Sequence, residues 1–247
     1  MRVDVLTLFP EMFQSPMNTS MMWKAQDRGL LDLHLHNIRD YSPDKHAKVD
    51  DTPYGGGGGM VLRADVLVPA VEGVLDGAEG VPVILMSPQG RRFSHQVAVE
   101  LASLPRMILV CGHYEGFDER IRDLVVTDEI SIGDYVLTGG ELAAMVVMDA
   151  TARHIPGLLG AEGGQDRDSH ADGLLEYPHY TRPLTYRGLT VPDVLQNGHH
   201  AEINKWRDEQ SLRRTWDRRR DLLVKAELTE KQKYLLGKFA DEDAKKR

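Results

Sequence analysis

Residues 112–141 hold the densest set of groups that could bind a small molecule. They run Gly112-His113-Tyr114-Glu115-Gly116 and, after a gap, Ser131-Ile132-Gly133-Asp134-Tyr135-Val136-Leu137-Thr138-Gly139-Gly140-Glu141. Glycines at such places permit sharp turns and close approach of backbone to a ligand. Carboxylates, tyrosines and hydroxyls lie between them. Met107–Cys111, just before, reads as a buried strand, and Leu142–Ala150, just after, as a buried helix. Loops between a core strand and a core helix are where α/β proteins hold cofactors. Ser87-Pro88-Gln89-Gly90 follows a further apolar run, Val81–Met86. In a parallel sheet these loops leave at one carboxyl edge and together could form one cofactor pocket. Any one of them alone is as readily an ordinary turn.

Other candidates carry less. The five glycines Gly55–Gly59 suggest a phosphate loop, but Met60-Val61 follows where Gly-Lys-Ser/Thr is required. No glycine triplet opens a helix after a strand, so a dinucleotide fingerprint is missing too, and ATP and NAD are both disfavoured. Asp50, Asp51, Pro53 and Tyr54 beside the run point instead to a loop that folds over a substrate. Lys205, Arg207, Arg213, Arg214, Arg218, Arg219 and Arg220 crowd one helical stretch around Trp206 and Trp216, against Asp208, Glu209 and Asp217. Such a face is commonly just solvated; its functional reading is contact with nucleic-acid phosphates, which the excess of arginine favours. His34 and His36 share a face of a strand without a third ligand nearby, so a solvated polar face is expected there. By spacing alone, Asp168 is an unremarkable carboxylate in a polar segment.

These groups need a scaffold. Strands are expected at 3–9, 32–38, 81–86 and 107–111. Helices are expected at 11–26 (interrupted early by Pro16), at 65–75, from a Ser94 cap to Leu104, and at 142–150 behind a Thr138-x-x-Glu141 capping box. Alternation of this kind argues for an α/β domain with a mostly parallel sheet covered on both faces. Residues 41–63 form a long polar, glycine-rich loop. Residues 160–173 are small, polar and charged, and read as a flexible linker. Beyond it the pattern is helical at 191–196, 201–223 and 229–242, with Thr229-x-x-Gln232 as a second capping box. The expected division is 1–159, a 160–173 linker, and a helical 174–247.

With 247 residues there is ample core for one or two domains. The net charge of −8 means that nucleic acid must be met by a local basic patch. Cys111 is the single cysteine, inside an apolar run, and reads as a core thiol. The first ten residues lack a signal-peptide pattern, and no apolar run approaches membrane-spanning length, so no membrane partner and a cytoplasmic location are expected.

Taken together, the motifs resemble those of the bacterial tRNA (guanine-N1)-methyltransferases, the TrmD family of the SPOUT class. The matching segments are Leu8–Phe13, Val49–Gly57, Ser87–Gly90, the 112–141 region, Arg153–Gly157, Asp168–Leu175, Pro178–Pro183 and His200–Ile203. They are long, ordered and span essentially the whole chain. The resemblance implies a deep trefoil knot in the sheet domain, a small all-helical C-terminal domain, and a homodimer with active sites at the subunit interface. It implies S-adenosylmethionine held by Ser87, Pro88, Gln89, Gly90, Gly112, Tyr114, Glu115, Gly116, Ser131, Ile132, Gly133, Asp134, Tyr135, Val136, Leu137, Gly139 and Gly140. Methyl transfer to N1 of guanosine 37 in tRNA follows, with Asp168 as proton acceptor and Arg153 stabilising charge on O6. Contacts to tRNA fall on Asp50, Gly59, Ser169, Glu176, Arg182, Lys205, Arg207, Arg214, Arg218 and Arg219. Magnesium dependence is also implied, with Asp168, Glu115 and Glu176 as neighbours and no closed set of ligands. The chain departs from the family pattern at Gly58, where proline is frequent, and at His170, where phenylalanine is common. A different SPOUT enzyme, such as a ribose 2′-O-methyltransferase, and a non-catalytic RNA-binding regulator are the competing readings.

Overall fold

The computed structural model describes residues 1–159 and 164–245. The chain divides into two compact units, Met1–Gly160 and Ala161–Arg247.

In the first unit, five strands form one sheet in the order β2-β1-β6-β5-β7. These are β1 (Arg2–Thr7), β2 (Asp32–Asn37), β5 (Val83–Arg92), β6 (Arg106–Cys111) and β7 (Asp128–Ser131), all paired in parallel. Successive side chains of a strand point to opposite faces, and here both faces are buried. Val3, Val5, Ile84, Met86, Met107, Leu109 and Cys111 join one core with α2 (Ser20–Asp27), α4 (His95–Ala102) and α6 (Glu141–Ala152). Leu6, Val83, Leu85, Ile108 and Val110 join the other with α3 (Ala64–Leu75) and α5 (Arg120–Val125). That two-sided covering is why β6 and the first half of β5 are continuous apolar runs and β1 is nearly one. Two short strands, β3 (Asp50–Asp51) and β4 (Val61–Leu62), pair antiparallel and carry the glycine run between them.

Local signals act where the chemistry demands. The Ser94 hydroxyl accepts the Val97 N–H and starts α4. The helix expected over 11–26 is broken into a 3-10 turn at Pro10–Phe13, α1 (Gln14–Met17) and α2. The Thr138–Glu141 capping box does not form. Gly140 is the N-cap of α6 without a side-chain cap, because both Glu141 oxygens are bonded elsewhere. Residues 87–90 are an excursion inside β5: Met86 and Arg91 both pair with Ile130, so the chain loops out and returns to the same strand.

The second unit has a small core of Leu174, Leu212 and Phe239, with Trp216, Leu235 and Leu236 packed on it. It carries α7 (His200–Arg218), α8 (Arg220–Leu223) and α9 (Glu230–Lys245). Thr229 and Gln232 make the reciprocal cap that their spacing predicts. The helix expected at 191–196 is only a 3-10 turn, Asp193–Leu195. The unit is also not all-helical, since β8 (Thr185–Tyr186) and β9 (Leu189–Thr190) form a hairpin. Its turn residues Arg187 and Gly188 have φ of 51° and 84°, the backbone that tight two-residue hairpins require. Residues 160–163 of the expected linker lie outside the described residues. Gly164–Arg167 is a 3-10 turn, and hydrogen-bonded turns follow to Leu174. Among the described residues no helix is long and apolar enough to cross a membrane.

Candidate active site

β6 and β7 end at one edge of the sheet, and the excursion inside β5 leaves the strand beside them at Met86. There the 87–89, 112–122 and 131–140 segments enclose a cavity of about 310 Å³. Ser87, Pro88, Gln89, Gly112, Tyr114, Glu115, Gly116, Ser131, Ile132, Gly133, Tyr135, Val136, Leu137, Gly139 and Gly140 line it. Two residues expected with them do not. Gly90 is pressed on β7, where a Cβ would come 2.5 Å from the Ile130 nitrogen, so backbone packing accounts for this glycine. Asp134 is exposed at the tip of a tight turn closed by the Tyr135 N–H on the Gly133 carbonyl at 2.9 Å.

The lining also includes His113 and Thr138, inside the segments expected to bind, and residues that sequence reasoning missed, among them Phe117, Glu119 and Arg122. Phe117 to Arg122 lie past the glycine that closes the motif at 116. The Asp118 N–H bonds to the Leu62 carbonyl at 3.0 Å and folds this stretch back. Long-range pairing with Leu62 holds it beside the cavity, and no local signal announces it. Among the described residues Arg122 is the single lysine or arginine in the lining, and Glu119 and Glu129 engage it at 2.6 and 2.9 Å. Cys111 is fully buried at the end of β6; burial pushes its thiol well above the ordinary range, and the Glu141 charge adds to this. It is a core thiol and no nucleophile.

The glycine-rich loop joins the cavity through Glu115. The Glu115 N–H bonds the Met60 carbonyl at 2.9 Å, and a Cβ on Gly59 would sit 2.7 Å from Glu115 Cδ. Gly59, expected on the RNA side, thus abuts Glu115, expected on the cofactor side. Asp50 pairs with Leu62 at the base of the same loop. Arg153 is exposed at the C-terminal end of α6.

Asp168 belongs to the second unit, where it is half-buried within a turn; its carbonyl accepts the Ala171 N–H at 3.0 Å. Around it several expected RNA contacts converge on α7. The Ser169 hydroxyl accepts the Glu176 N–H at 3.0 Å, Arg214 donates to the Glu176 carbonyl at 3.3 Å, and Arg207 lies 4.9 Å over the Tyr177 ring. Lys205 and Arg218 are exposed on α7, and Arg182 is exposed before the hairpin. The basic helix is less basic in effect than its composition. Arg213 and Arg220 are tied to Asp243 of α9, and Arg219 to Asp221 at 2.7 Å. Among the described residues no group of three or more His, Cys, Asp or Glu forms a set that could hold a metal.

The family model for tRNA (guanine-1)-methyltransferase TrmD matches residues 1–225. The chain belongs to this family. A tRNA (guanine-N(1)-)-methyltransferase of Dehalococcoides mccartyi is 56% identical over 244 residues, 98% of each chain. One from Brevibacillus brevis is 57% identical over 242 residues, 98% of this chain and 99% of that one. One from Geobacter sulfurreducens is 56% identical over 229 residues, 93% and 94% of the two. The cavity at the sheet edge is therefore the candidate site of a methyltransferase-family protein.

Proposed function

We propose that this chain transfers a methyl group from S-adenosylmethionine to N1 of guanosine 37 in tRNA, beside the anticodon. The observation that carries the reading is the cavity enclosed by the excursion inside β5 and the segments that follow β6 and β7, in a chain of this family. The residues present fit the donor. Hydroxyl and amide groups of Ser87, Gln89 and Ser131 suit a nucleoside, and Glu115 and Glu119 suit a cation. The one arginine of the lining is already bound by carboxylates, so a triphosphate would find no free cation there. A volume of about 310 Å³ falls in the range of small-molecule sites.

When bound, S-adenosylmethionine supplies an electrophilic methyl group on a sulfonium. Guanine N1 carries a proton in its ordinary form and cannot attack until it is lost. Asp168 accepts that proton as general base. Negative charge then grows on O6, and the Arg153 guanidinium stabilises it. The N1 lone pair takes the methyl, and the electrons of the broken C–S bond stay on sulfur. The 87–89, 112–116 and 131–140 segments supply alignment. The base is unstacked at low cost because it lies in a single-stranded loop. The exposed α7 cations hold the RNA backbone. Magnesium finds no protein cage among the described residues, and no step runs through it.

Two features support the remaining architecture. The Gly140 N–H bonds the Gly112 carbonyl at 2.9 Å and His113 bridges to Gly139, which supports threading of the 132–140 segment in a trefoil knot. Leu142 and Val146, one turn apart on α6, are 51% and 47% exposed; that apolar stripe beside the cavity supports a homodimer with interfacial active sites. The reading places the protein in the cytoplasm with its tRNA. The test is incubation with methyl-labelled S-adenosylmethionine and tRNA, then digestion to nucleosides. Labelled 1-methylguanosine is expected. A labelled 2′-O-methyl nucleoside would point to another SPOUT activity, and RNA binding without label to a regulator.

A further inference from the structure

Directly behind the cavity wall lies a carboxylate that the chemistry above does not use. Glu141 opens α6 and is 1% exposed. Its Oε1 accepts the Thr7 hydroxyl at 2.6 Å, and its Oε2 lies 2.8 Å from His113 Nε2. The Thr7 hydroxyl in turn accepts the Phe9 N–H at 3.0 Å, and the Phe9 ring meets the His113 ring edge-on at 4.8 Å. Both oxygens therefore have a partner, and the His113 tautomer that carries its proton on Nε2 supplies the second donor. The amino end of α6 adds a favourable field. Among the described residues no lysine or arginine pairs with Glu141.

The position of this charge is the point. A Cβ on Gly139 would lie 2.5 Å from Glu141 Oε2, and Gly139, Gly140 and His113 all line the cavity. One glycine without a side chain separates the buried charge from whatever occupies the site. The exposed carboxylates of the rim act through water, whereas a charge held inside the protein acts through a poorer dielectric.

We infer that Glu141 is a specificity-determining group that favours a ligand with cationic sulfur over the same ligand with neutral sulfur. The inference rests on reading the cavity as the S-adenosylmethionine site. Methyl transfer converts a sulfonium into a thioether, so the buried charge holds the donor and loses its hold on S-adenosylhomocysteine once transfer is complete. The charge thereby aids product release.

The experiment is calorimetric titration of S-adenosylmethionine and S-adenosylhomocysteine into the wild type, Glu141→Gln and His113→Gln, with thermal melts to confirm folding. Glutamine at 141 keeps the shape and removes the charge. The ratio of the two affinities is expected to shift against S-adenosylmethionine by about tenfold. Glutamine at 113 breaks the same pair but leaves the carboxylate; both affinities fall together and their ratio stays within about twofold of wild type. An unchanged ratio in Glu141→Gln, or equal shifts in both variants, overturns the inference. Should Glu141→Gln fail to fold, Thr7→Val removes one donor and keeps the charge, and a tenfold shift there would overturn it as well. If neither nucleoside binds the wild type, the reading of the cavity fails and the inference falls with it. If both bind and only the ratio does not respond, the inference alone fails.

Discussion

Asp4 and Glu141 are both buried carboxylates that involve β1, one near each end of the strand. Asp4 is fully buried and takes hydrogen bonds from Arg2 at 2.8 and 2.9 Å, Arg106 at 2.9 Å and His36 at 2.9 Å. Two guanidinium groups more than offset its charge, and it does not line the cavity at the other end of the sheet. Glu141 has a hydroxyl and an imidazole for partners, and one glycine stands between it and a cavity. The same residue chemistry thus serves two ends. Where strands begin, the charge is neutralised and locks β1, β2 and β6 together. Where parallel strands end, the loops must open into space, and the charge is left to act on a ligand.

The largest expected effect tests the first half of that contrast. Asp4→Asn leaves Arg106 facing a neutral partner and is expected to cost about 3–5 kcal/mol of stability. The distant cavity should bind S-adenosylmethionine within about twofold of wild type. Denaturant unfolding and calorimetry on the surviving native protein check both; a lost site in a folded variant would break the contrast. The pH dependence sharpens it. Burial pushes the Asp4 carboxyl up, but hydrogen bonds from Arg2, His36 and Arg106 outweigh burial and hold it below its ordinary value. As pH falls, the unfolded chain takes this proton first. The stabilisation is therefore full above the unfolded value of about 3.9 and is lost as pH falls through the lower folded value. Melting temperature should drop more steeply in that acid range for wild type than for Asp4→Asn.

A smaller loss of stability with a larger loss of binding is expected at the other end. An alanine methyl at Gly140 would lie 2.7 Å from Cys111 Cα and 2.9 Å from the Gly112 nitrogen, so two cavity segments must part. Stability should fall by about 1–3 kcal/mol, and donor affinity by about tenfold. Equal donor affinity in Gly140→Ala would show that the cavity is not the donor site. The smallest effect concerns α7. Arg218 has no ion-pair partner among the described residues, whereas Asp221 holds Arg219. Arg218→Ala should weaken tRNA binding and flatten its log–log salt slope by about one. Arg219→Ala should change it less, as filter binding across salt concentrations will read.

Much of the sheet was legible because parallel strands buried on both faces must be apolar throughout, as Met107–Cys111 is. The Ser94 and Thr229–Gln232 caps were legible because their partners lie within one helical turn. Glu141 shows where such reading stops. Its spacing from Thr138 fits a capping box, but its oxygens go to Thr7 and His113, 134 and 28 residues away in sequence. Glycines raised a related ambiguity. Gly90 and Gly140 both mark close approach, yet Gly90 meets the backbone of β7 and only Gly140 also borders the cavity. The charge of the 205–220 stretch was legible in composition and not in effect, because acids on α9 that neutralise Arg213 of α7 and Arg220 of α8 become neighbours only on folding.

The measurement closest to the central claim is the single-turnover rate of methyl transfer to tRNA by Asp168→Ala, with S-adenosylmethionine affinity measured in parallel. Asp168 sits on a turn of the second unit. Removing the proton acceptor should slow transfer by about 10²–10⁴-fold while donor affinity stays near wild type. A near-normal rate would contradict the assignment of Asp168 as general base and move the search to Glu115.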